Sequence, residues 1–436
     1  AAGCRVDEAA DVAAYRSVLD RGVEATPTAP GPGEPLGLAQ AFRLANARDE
    51  ALAAEGEAYV RALIERRRAS AAFLPRLFFT PRIFFADRSG ASDSGRVGVD
   101  GALDAVAAVN PVRDVANVDV AALTAEARRE LLLTAQDDLL LDVGRAYFAV
   151  LAFERRIDVL RASLSVQEER VSDARARVEA GLQRPLDVAL AEARAADART
   201  LLIAAESDAR NGRTLLSFLV AWDARGAPLV AGVELPDPPD DVEAAIAEAV
   251  ARRPETRAAA KDAAAAEAAV DAAYGGYWPT VSADVGAFLF RDSEPTALDW
   301  SSALAISIPL FTAGLVEADV REALSRLREA RLRARRSERA VRREAATAAE
   351  DATNVRRRLE ALAVRLDAAR RALDLAEAQW SAGLATHLER LVAQDELLAV
   401  ELEEAEARFE LQTRRVEWAR AVGLLHRVAG LTREDG

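Results

Sequence analysis

The chain has 436 residues, of which 51% are hydrophobic and 29% charged, and its formal net charge is −14. A single cysteine excludes a disulfide scaffold, and the negative charge disfavours binding to nucleic acid or to an anionic membrane surface. His387 and His426 have no histidine or cysteine neighbour that could complete a metal or triad site. The sequence therefore predicts no enzyme activity, no cofactor and no nucleic-acid partner.

The first residues of the chain predict a membrane anchor. The sequence begins Ala-Ala-Gly-Cys, which looks like the small-residue end of a signal sequence in front of a lipid-modified cysteine. Lipidation of Cys4 would hold a bacterial envelope protein to a membrane surface. The alternative is that Cys4 is an ordinary thiol near the terminus. We assign residues 1–36 to this anchor and to a linker that contains the Gly- and Pro-rich segment 31–35.

An internal repeat organises the rest of the chain. The segment VEAGLQRPLDVALAE (178–192) aligns with WSAGLATHLERLVAQ (380–394), and other landmarks, such as Pro111 and Pro309, recur at the same distance of about 200 residues. The spacing predicts a first structural repeat over residues 37–225 and a second over residues 241–426. Residues 226–240 are then an inter-repeat linker, and residues 427–436 a C-terminal tail.

Each repeat is predicted to contain a helix, a β-hairpin, a very long helix, a turn and a further helix. In the first repeat we expect helices over 38–72, 119–181 and 184–222, and strands over 74–86 and 102–110. In the second repeat, alternation of apolar and polar residues predicts two half-apolar strands. Their apolar faces are formed by Val281, Ala283, Val285, Ala287 and Leu289, and by Leu304, Ile306 and Ile308.

The long helices carry a seven-residue hydrophobic repeat that is typical of a coiled coil. It includes Val143, Val150, Ile157, Leu164, Val171 and Val178. At 1.5 Å per residue the helix over 119–181 would be about 95 Å long, and the two shorter helices together about 110 Å. Each long helix can therefore pair with two stacked shorter ones.

The strands define how a membrane could be crossed. Since no stretch reaches the roughly 18 to 20 apolar residues of a spanning helix, any crossing would be made of strands. Four strands per chain are too few to close a barrel, and a sheet in lipid cannot keep open edges. Several copies of the chain are then required, and the sequence leaves open whether there are three or four.

In the order and spacing of FLPRLFF (73–79), YWPTVSA (277–283), IPLFTAG (308–314) and the twin turns, the chain resembles the TolC-like outer-membrane efflux protein family. The match covers about residues 37–424, and the start at Cys4 is similar to the lipoprotein branch of that family. The resemblance implies a mainly α fold with a small β portion. In it, a long coiled-coil helical barrel continues into a 12-stranded transmembrane β-barrel, to which each chain of a homotrimer contributes four strands.

The resemblance also implies a function and its partners. Proteins of this family lie in outer-membrane lipid, with the helical part in the periplasm. They are exit ducts of tripartite efflux or type I secretion systems, and they work with a periplasmic adaptor (membrane fusion) protein and an inner-membrane transporter. The sequence does not indicate whether drugs, metals or proteins are the substrate. The alternative is a structural coiled-coil scaffold, lipid-anchored or soluble, which would not need the paired hairpins.

The resemblance assigns roles to the turns. Gly181, Leu182, Gly383 and Leu384 match the tip that docks the adaptor, and Glu389 with its counterpart Asp187 matches the periplasmic constriction. A ring of carboxylates formed by symmetry would disfavour anions, whereas the alternative for Glu389 is an ordinary exposed helix residue. The family's further gating positions are occupied by other residue types, namely Val392, Ala385 and Trp380.

Overall fold

The computed structural model describes residues 8–20, 29–31, 33–86, 96–291 and 300–433, so Cys4 lies outside the described residues. Within these ranges, no helix has the length and apolarity needed to span a membrane. The chain divides into two compact units. We call them the strand unit, built mainly from Glu57–Leu131 and Glu255–Ser337, and the helical unit, built mainly from Ala13–Gly56, Leu132–Pro254 and Glu338–Gly436.

Both halves of the chain contain two α-helices, two strands and two further α-helices in that order, preceded by an additional helix in the first half and followed by one in the second. The first half contains α1 (Glu8–Leu19), α2 (Leu38–Arg48), α3 (Glu50–Ala71), β1 (Arg76–Ala86), β2 (Arg96–Val109), α4 (Pro111–Glu179) and α5 (Pro185–Leu219). The second half contains α6 (Val242–Arg252), α7 (Pro254–Tyr274), β3 (Thr280–Arg291), β4 (Trp300–Ser307), α8 (Leu315–Ser381), α9 (His387–Ala421) and α10 (Leu425–Val428).

Several boundaries differ from those expected. The helix predicted over 38–72 is two helices, because Asp49 has an extended backbone and its carboxylate accepts a hydrogen bond from the Leu52 backbone N–H at 2.7 Å. The long helix begins at Pro111 instead of residue 119, since the side chain of Asn110 caps it by accepting from the Arg113 backbone N–H at 2.9 Å. The segment expected to be anchor and linker contains α1, and strand β2 starts at Arg96 instead of residue 102.

The four strands form one antiparallel sheet in the order β1-β2-β3-β4. The register aligns Phe79, Leu103, Ala287 and Trp300 on one face, and residues at the neighbouring positions lie on the other. The alternation predicted for β3 holds from Val281 to Ala287. It is then interrupted by a bulge, where Phe290 pairs with Gly101. A Cβ at Gly101 would lie 2.3 Å from the Phe290 ring, so a larger residue here would displace that exposed ring.

A buried asparagine joins the two hairpins within the strand unit. The Asn110 side chain, at the end of β2, donates hydrogen bonds to the backbone carbonyls of Gly275 at 2.9 Å and Trp278 at 3.1 Å. Both carbonyls belong to the turn that precedes β3. A Cβ at Gly275 would lie 2.6 Å from the Arg113 backbone, so the contact depends on glycine there. These contacts therefore hold the end of β2 and the start of β3 together at one end of the sheet.

Tyr147 organises the core of the helical unit. It is fully buried, and its hydroxyl lies 2.8 Å from the Leu36 carbonyl oxygen and 2.9 Å from that of Val230. The same hydroxyl accepts a hydrogen bond from the Val230 backbone N–H. Burial raises the pKa of Tyr147 to about 12, because the buried site disfavours the charged phenolate. The tyrosine thereby holds the segments before α2 and after α5 against α4.

Candidate functional site

The sheet of the strand unit exposes one continuous apolar face. Leu77 on β1 is 66% exposed, and Leu304 on β4 is 73% exposed. Leu103 on this face is half-buried. Large exposed side chains on the face also include Phe79, Ile83, Val99, Val281, Val285, Trp300 and Ile306. An apolar patch of this extent is unusual on a protein surrounded only by water, and it indicates contact with lipid or with other protein surfaces.

The opposite face of the sheet is mainly polar, although Phe78, 48% exposed, also lies on it. It carries Thr80, Asp104, Ser282, Asp284 and Ser301, which the register places on the side away from Phe79 and Trp300. The Thr80 hydroxyl lies 3.5 Å from the Asp104 carboxylate across the β1–β2 pair. Because its two faces differ in this way, the sheet can separate an apolar surrounding from an aqueous space.

The two helix turns of the helical unit have the same geometry. Gly181 and Gly383 adopt φ values of +71° and +72°, which favour glycine. After each glycine, the next backbone N–H bonds back to the helix: Leu182 to the Arg177 carbonyl and Leu384 to the Gln379 carbonyl, both at 2.8 Å. Leu182 is 76% and Leu384 81% exposed. The predicted tip residues thus form two matching tight reversals, each presenting one exposed leucine.

The two predicted constriction residues occupy equivalent places after these turns. Glu389 accepts a hydrogen bond from the Thr386 backbone N–H at 2.6 Å, and Asp187 accepts one from the Arg184 backbone N–H at 3.3 Å. The hydrogen bonds from the Thr386 backbone and side chain hold the pKa of Glu389 below its usual range. Each carboxylate therefore caps the helix that follows its turn. Glu389 is exposed, whereas Asp187 is buried.

Sequence reasoning missed two arginines that contact Trp380. The Arg390 guanidinium lies 3.9 Å from the centre of the Trp380 ring, and that of Arg177 lies 4.6 Å from it. Burial lowers the pKa of Arg390. Cation–π contacts of this kind hold a charged group against an aromatic face. They link α4, the end of α8 and the start of α9, and no periodic pattern in the sequence signals them.

A buried polar pocket lies beside this tryptophan. It includes Arg170, Gln183 and Arg390 among its lining residues. One guanidinium nitrogen of Arg170 and the amide oxygens of Gln183 and Gln394 are buried without a hydrogen-bond partner in the part of the chain that the structure describes. Burial and the nearby Arg390 charge lower the pKa of Arg170. We call Arg170, Arg177, Gln183, Trp380, Arg390 and Gln394 the turn cluster.

A second set of charged residues in the helical unit is joined by ion pairs. Arg433 contacts Asp137 at 2.6 Å with both side chains only 5% exposed. Arg420 bridges Asp138 at 2.6 Å and Glu344 at 2.5 Å, and Glu344 also accepts from Arg253 at 2.8 Å. We call these six residues the ion-pair network. It connects α4, α8, α9 and the segment after α10, which the sequence had assigned to a tail.

No group of histidine, cysteine and carboxylate side chains in the described ranges is arranged to hold a metal ion. The features that remain are a sheet with one apolar and one polar face, long helices and twin turns. Together they define a protein of the membrane-channel class.

The sequence profile of the outer membrane efflux protein family matches residues 112–221 and 245–424. These segments make up more than half of the chain, which therefore belongs to the outer membrane efflux protein family. The resemblance predicted from the sequence is confirmed, as is the localisation in the bacterial outer membrane.

Known proteins support the fold. The chain is 27% identical over 291 residues to the outer membrane efflux protein BepC of Brucella suis, and this match covers 66% of the chain and 63% of BepC. The crystal structure of VceC from Vibrio cholerae has a TM-score of 0.77 at 21% identity, covering 88% of this chain and 96% of that one. Structures of CusC, described as forming a transmembrane channel, have a TM-score of 0.80 at 15% identity, covering 93% and 96%. The predicted fold class is confirmed.

Proposed function

We propose that this chain is the outer-membrane exit duct of a tripartite efflux or type I secretion system. The observation that carries the proposal is the sheet, whose apolar face suits lipid and whose polar face suits a water-filled lumen. No chemistry on the cargo is needed, because a duct works by opening and closing. BepC bears the name of an efflux protein, which agrees with this role.

The duct is a homotrimer in this proposal. Strands β1 and β4 form the two edges of the four-stranded sheet in the described chain, and each pairs on one side only. Unpaired edges in lipid are very unfavourable, since no water is available to satisfy their backbone groups. Three copies would pair β1 of one chain with β4 of the next and close a ring of twelve strands.

The turns of the helical unit are the proposed periplasmic end of the duct. Their exposed leucines, Leu182 and Leu384, offer apolar contacts to a periplasmic adaptor protein, and an inner-membrane transporter would supply the energy. We assign the constriction to Glu389 and Asp187, which are held at fixed positions by their own capping hydrogen bonds. Cys4 remains the predicted lipidation site.

Single-channel conductance in a planar lipid bilayer tests the proposal. We expect discrete, long-lived steps from the purified protein, and a weaker preference for cations in Glu389→Gln. Glu360→Gln is the matched control, since Glu360 is an exposed glutamate on α8 outside the turns. Conductance that is unaltered in Glu389→Gln would remove the assigned constriction. Failure of the protein to insert, where a known outer-membrane channel inserts, would favour the coiled-coil scaffold.

A further inference from the structure

The last turns of α3 form a basic groove just before the sheet begins. An open cavity of about 470 Å³ is lined there by Leu63, Arg66, Arg67, Ser70, Ala71 and Leu74. Helix α3 ends at Ala71, and β1 starts at Arg76. The groove therefore lies in the strand unit, at the end of the helix that leads into the apolar face.

The positive charge of this groove is not compensated within the described ranges of the chain. Arg66 and Arg67 are exposed and form no ion pair with described residues, whereas the adjacent Arg68 pairs with Glu65. Exposed arginines without an ion pair to described residues also occur elsewhere, as at Arg335 and Arg336, so the feature that distinguishes Arg66 and Arg67 is that both line one cavity. Two neighbouring guanidinium groups without partners suit a phosphate, which accepts several charge-assisted hydrogen bonds.

The apolar side of the groove distinguishes a lipid from a free anion. Leu63, Ala71 and Leu74 line the same cavity as the arginines. Leu74 is 65% exposed, and three residues later Leu77 continues onto the apolar face of the sheet. An inorganic phosphate would gain nothing from this surface, but an acyl chain would bury it.

The second repeat lacks this arrangement. The corresponding end of α7 reads DAAYGGYWP (271–279) and has no arginine or lysine. A helix-to-strand connection of this kind therefore forms without basic residues, and those at the end of α3 need another explanation. A favourable interaction with the helix dipole would apply to both helix ends and does not explain the difference.

We propose that Arg66 and Arg67 bind the phosphate of an anionic phospholipid headgroup, with the acyl chain lying along Leu74 and Leu77. This inference rests on the proposed function, because it requires the apolar face to lie in a bilayer. The lipid would belong to the leaflet at the α3 end of the sheet. Binding at this point fixes the depth at which the sheet lies in the membrane.

The test compares two double variants of the full-length protein with the same change in charge. Arg66→Gln with Arg67→Gln removes the groove arginines, and Arg61→Gln with Arg68→Gln removes two exposed arginines of the same helix outside the groove. Each protein is reconstituted in phosphatidylcholine containing a minor fraction of phosphatidylglycerol and extracted in detergent, and its retained lipids are counted by native mass spectrometry. Circular dichroism verifies that every variant is folded.

We expect the parent and the Arg61/Arg68 variant to retain phosphatidylglycerol, and the Arg66/Arg67 variant to lose it by about tenfold or more. Equal loss of phosphatidylglycerol in both double variants would mean that positive charge anywhere on the helix attracts the lipid. Retention of phosphatidylcholine and phosphatidylglycerol to the same extent would mean that only apolar contacts hold the lipid. Either result overturns the inference. Displacement by millimolar inorganic phosphate without any preference for lipid would indicate a free-anion site and also overturn it.

Two further measurements distinguish the lipid site from a subunit interface and from the proposed exit-duct function. If the Arg66/Arg67 variant changes the oligomeric mass instead of the lipid count, the groove is an interface with a second copy and the lipid assignment is wrong. Conductance of the parent protein is measured in parallel. If the parent protein conducts but shows no preference for phosphatidylglycerol, the lipid site alone is refuted, whereas absence of conductance refutes the exit duct.

Discussion

Two clusters of arginines in the helical unit are held in different ways. In the ion-pair network, Arg433 and Arg420 each meet carboxylates at hydrogen-bond distance. In the turn cluster, Arg177 and Arg390 lie against the Trp380 ring. Arg177 also pairs with Asp173 at 3.1 Å and Arg170 with Glu377 at 3.2 Å, but several buried polar atoms nearby have no hydrogen-bond partner in the described chain. The first cluster is held mainly by ion pairs, whereas the second combines ion pairs and cation–π contacts with a larger number of buried atoms that lack a hydrogen bond within the described chain.

This difference indicates where the helical unit can change shape. Buried charges that are paired with one another hold one arrangement strongly, because breaking a pair leaves a charge without compensation. Groups with unsatisfied atoms lose little when they separate, since they can gain water. We therefore expect the region of the turns to open at a lower free-energy cost than the region of the network.

The largest expected effect comes from breaking the network. Arg433→Ala leaves the Asp137 carboxylate buried without its partner, which should lower the free energy of unfolding by about 3–5 kcal/mol. Thermal unfolding followed by the helical circular dichroism signal measures it. The control is Arg225→Ala, which removes an exposed pair with Asp223 and should leave the midpoint unchanged. Equal midpoints for both variants would show that the network does not stabilise the unit.

Changes at the turns should affect stability less than Arg433→Ala does, but they should affect conductance more. Trp380→Ala removes both cation–π contacts, which together contribute about 2 kcal/mol. We expect a higher open fraction in bilayer recordings, with Trp380→Phe intermediate between this variant and the parent. An open fraction equal to that of the parent in Trp380→Ala would mean that the turn cluster does not resist opening.

The unsatisfied atoms provide a test in the opposite direction. Gln394→Leu replaces a buried amide whose oxygen has no partner, and it should stabilise the protein by about 1 kcal/mol and reduce the open fraction. Gln412 also has a buried amide oxygen without a partner, but it lies outside the turn cluster. Gln412→Leu should therefore stabilise the protein without changing conductance. The same reduction in open fraction for both variants would contradict a special role of the turns.

The smallest effect concerns pH. The Glu389 pKa is lowered in the folded protein, so its hydrogen bonds with Thr386 contribute stability above the ordinary glutamate pKa of about 4.3, and this contribution is lost as the pH falls through the lower folded value. In the ion-pair network, the pKa of Asp138 is raised, mainly by burial and to a smaller extent by the neighbouring Asp137 charge. The Asp138 carboxylate therefore takes up its proton at a higher pH than an ordinary aspartate. The difference in unfolding midpoint between the parent and Glu389→Gln should vanish only in strong acid. A difference that vanishes near pH 6 would contradict the assignment.

The sequence predicted the parts of the fold that local patterns determine. Seven-residue periodicity located the long helices, alternation located the strands, and the glycines at positions 181 and 383 located the turns. The end of one helix at Asp49 and the start of another at Asn110 were missed, although both are side-chain capping signals. Such signals are short and compete with the propensity of the surrounding residues.

The candidate site was less predictable because its contacts are long-range. Trp380 was noted only as a departure from the family, and neither Arg177 nor Arg390 was singled out. Arg433 lies 296 positions from its partner Asp137, a distance at which no pattern in one sequence indicates contact. The roles predicted for Glu389 and Asp187 in a constriction stay predictions, and the structure adds their capping contacts.

The link between Arg433 and Asp137 also has a consequence for how the chain is made. Asp137 leaves the ribosome about 300 residues before its partner, and for that time its carboxylate has no arginine to meet. Contacts between such distant residues form slowly and late in folding. The helical unit therefore reaches its final packing only after nearly all of the described chain has been synthesised, and until then it remains a substrate for chaperones and proteases.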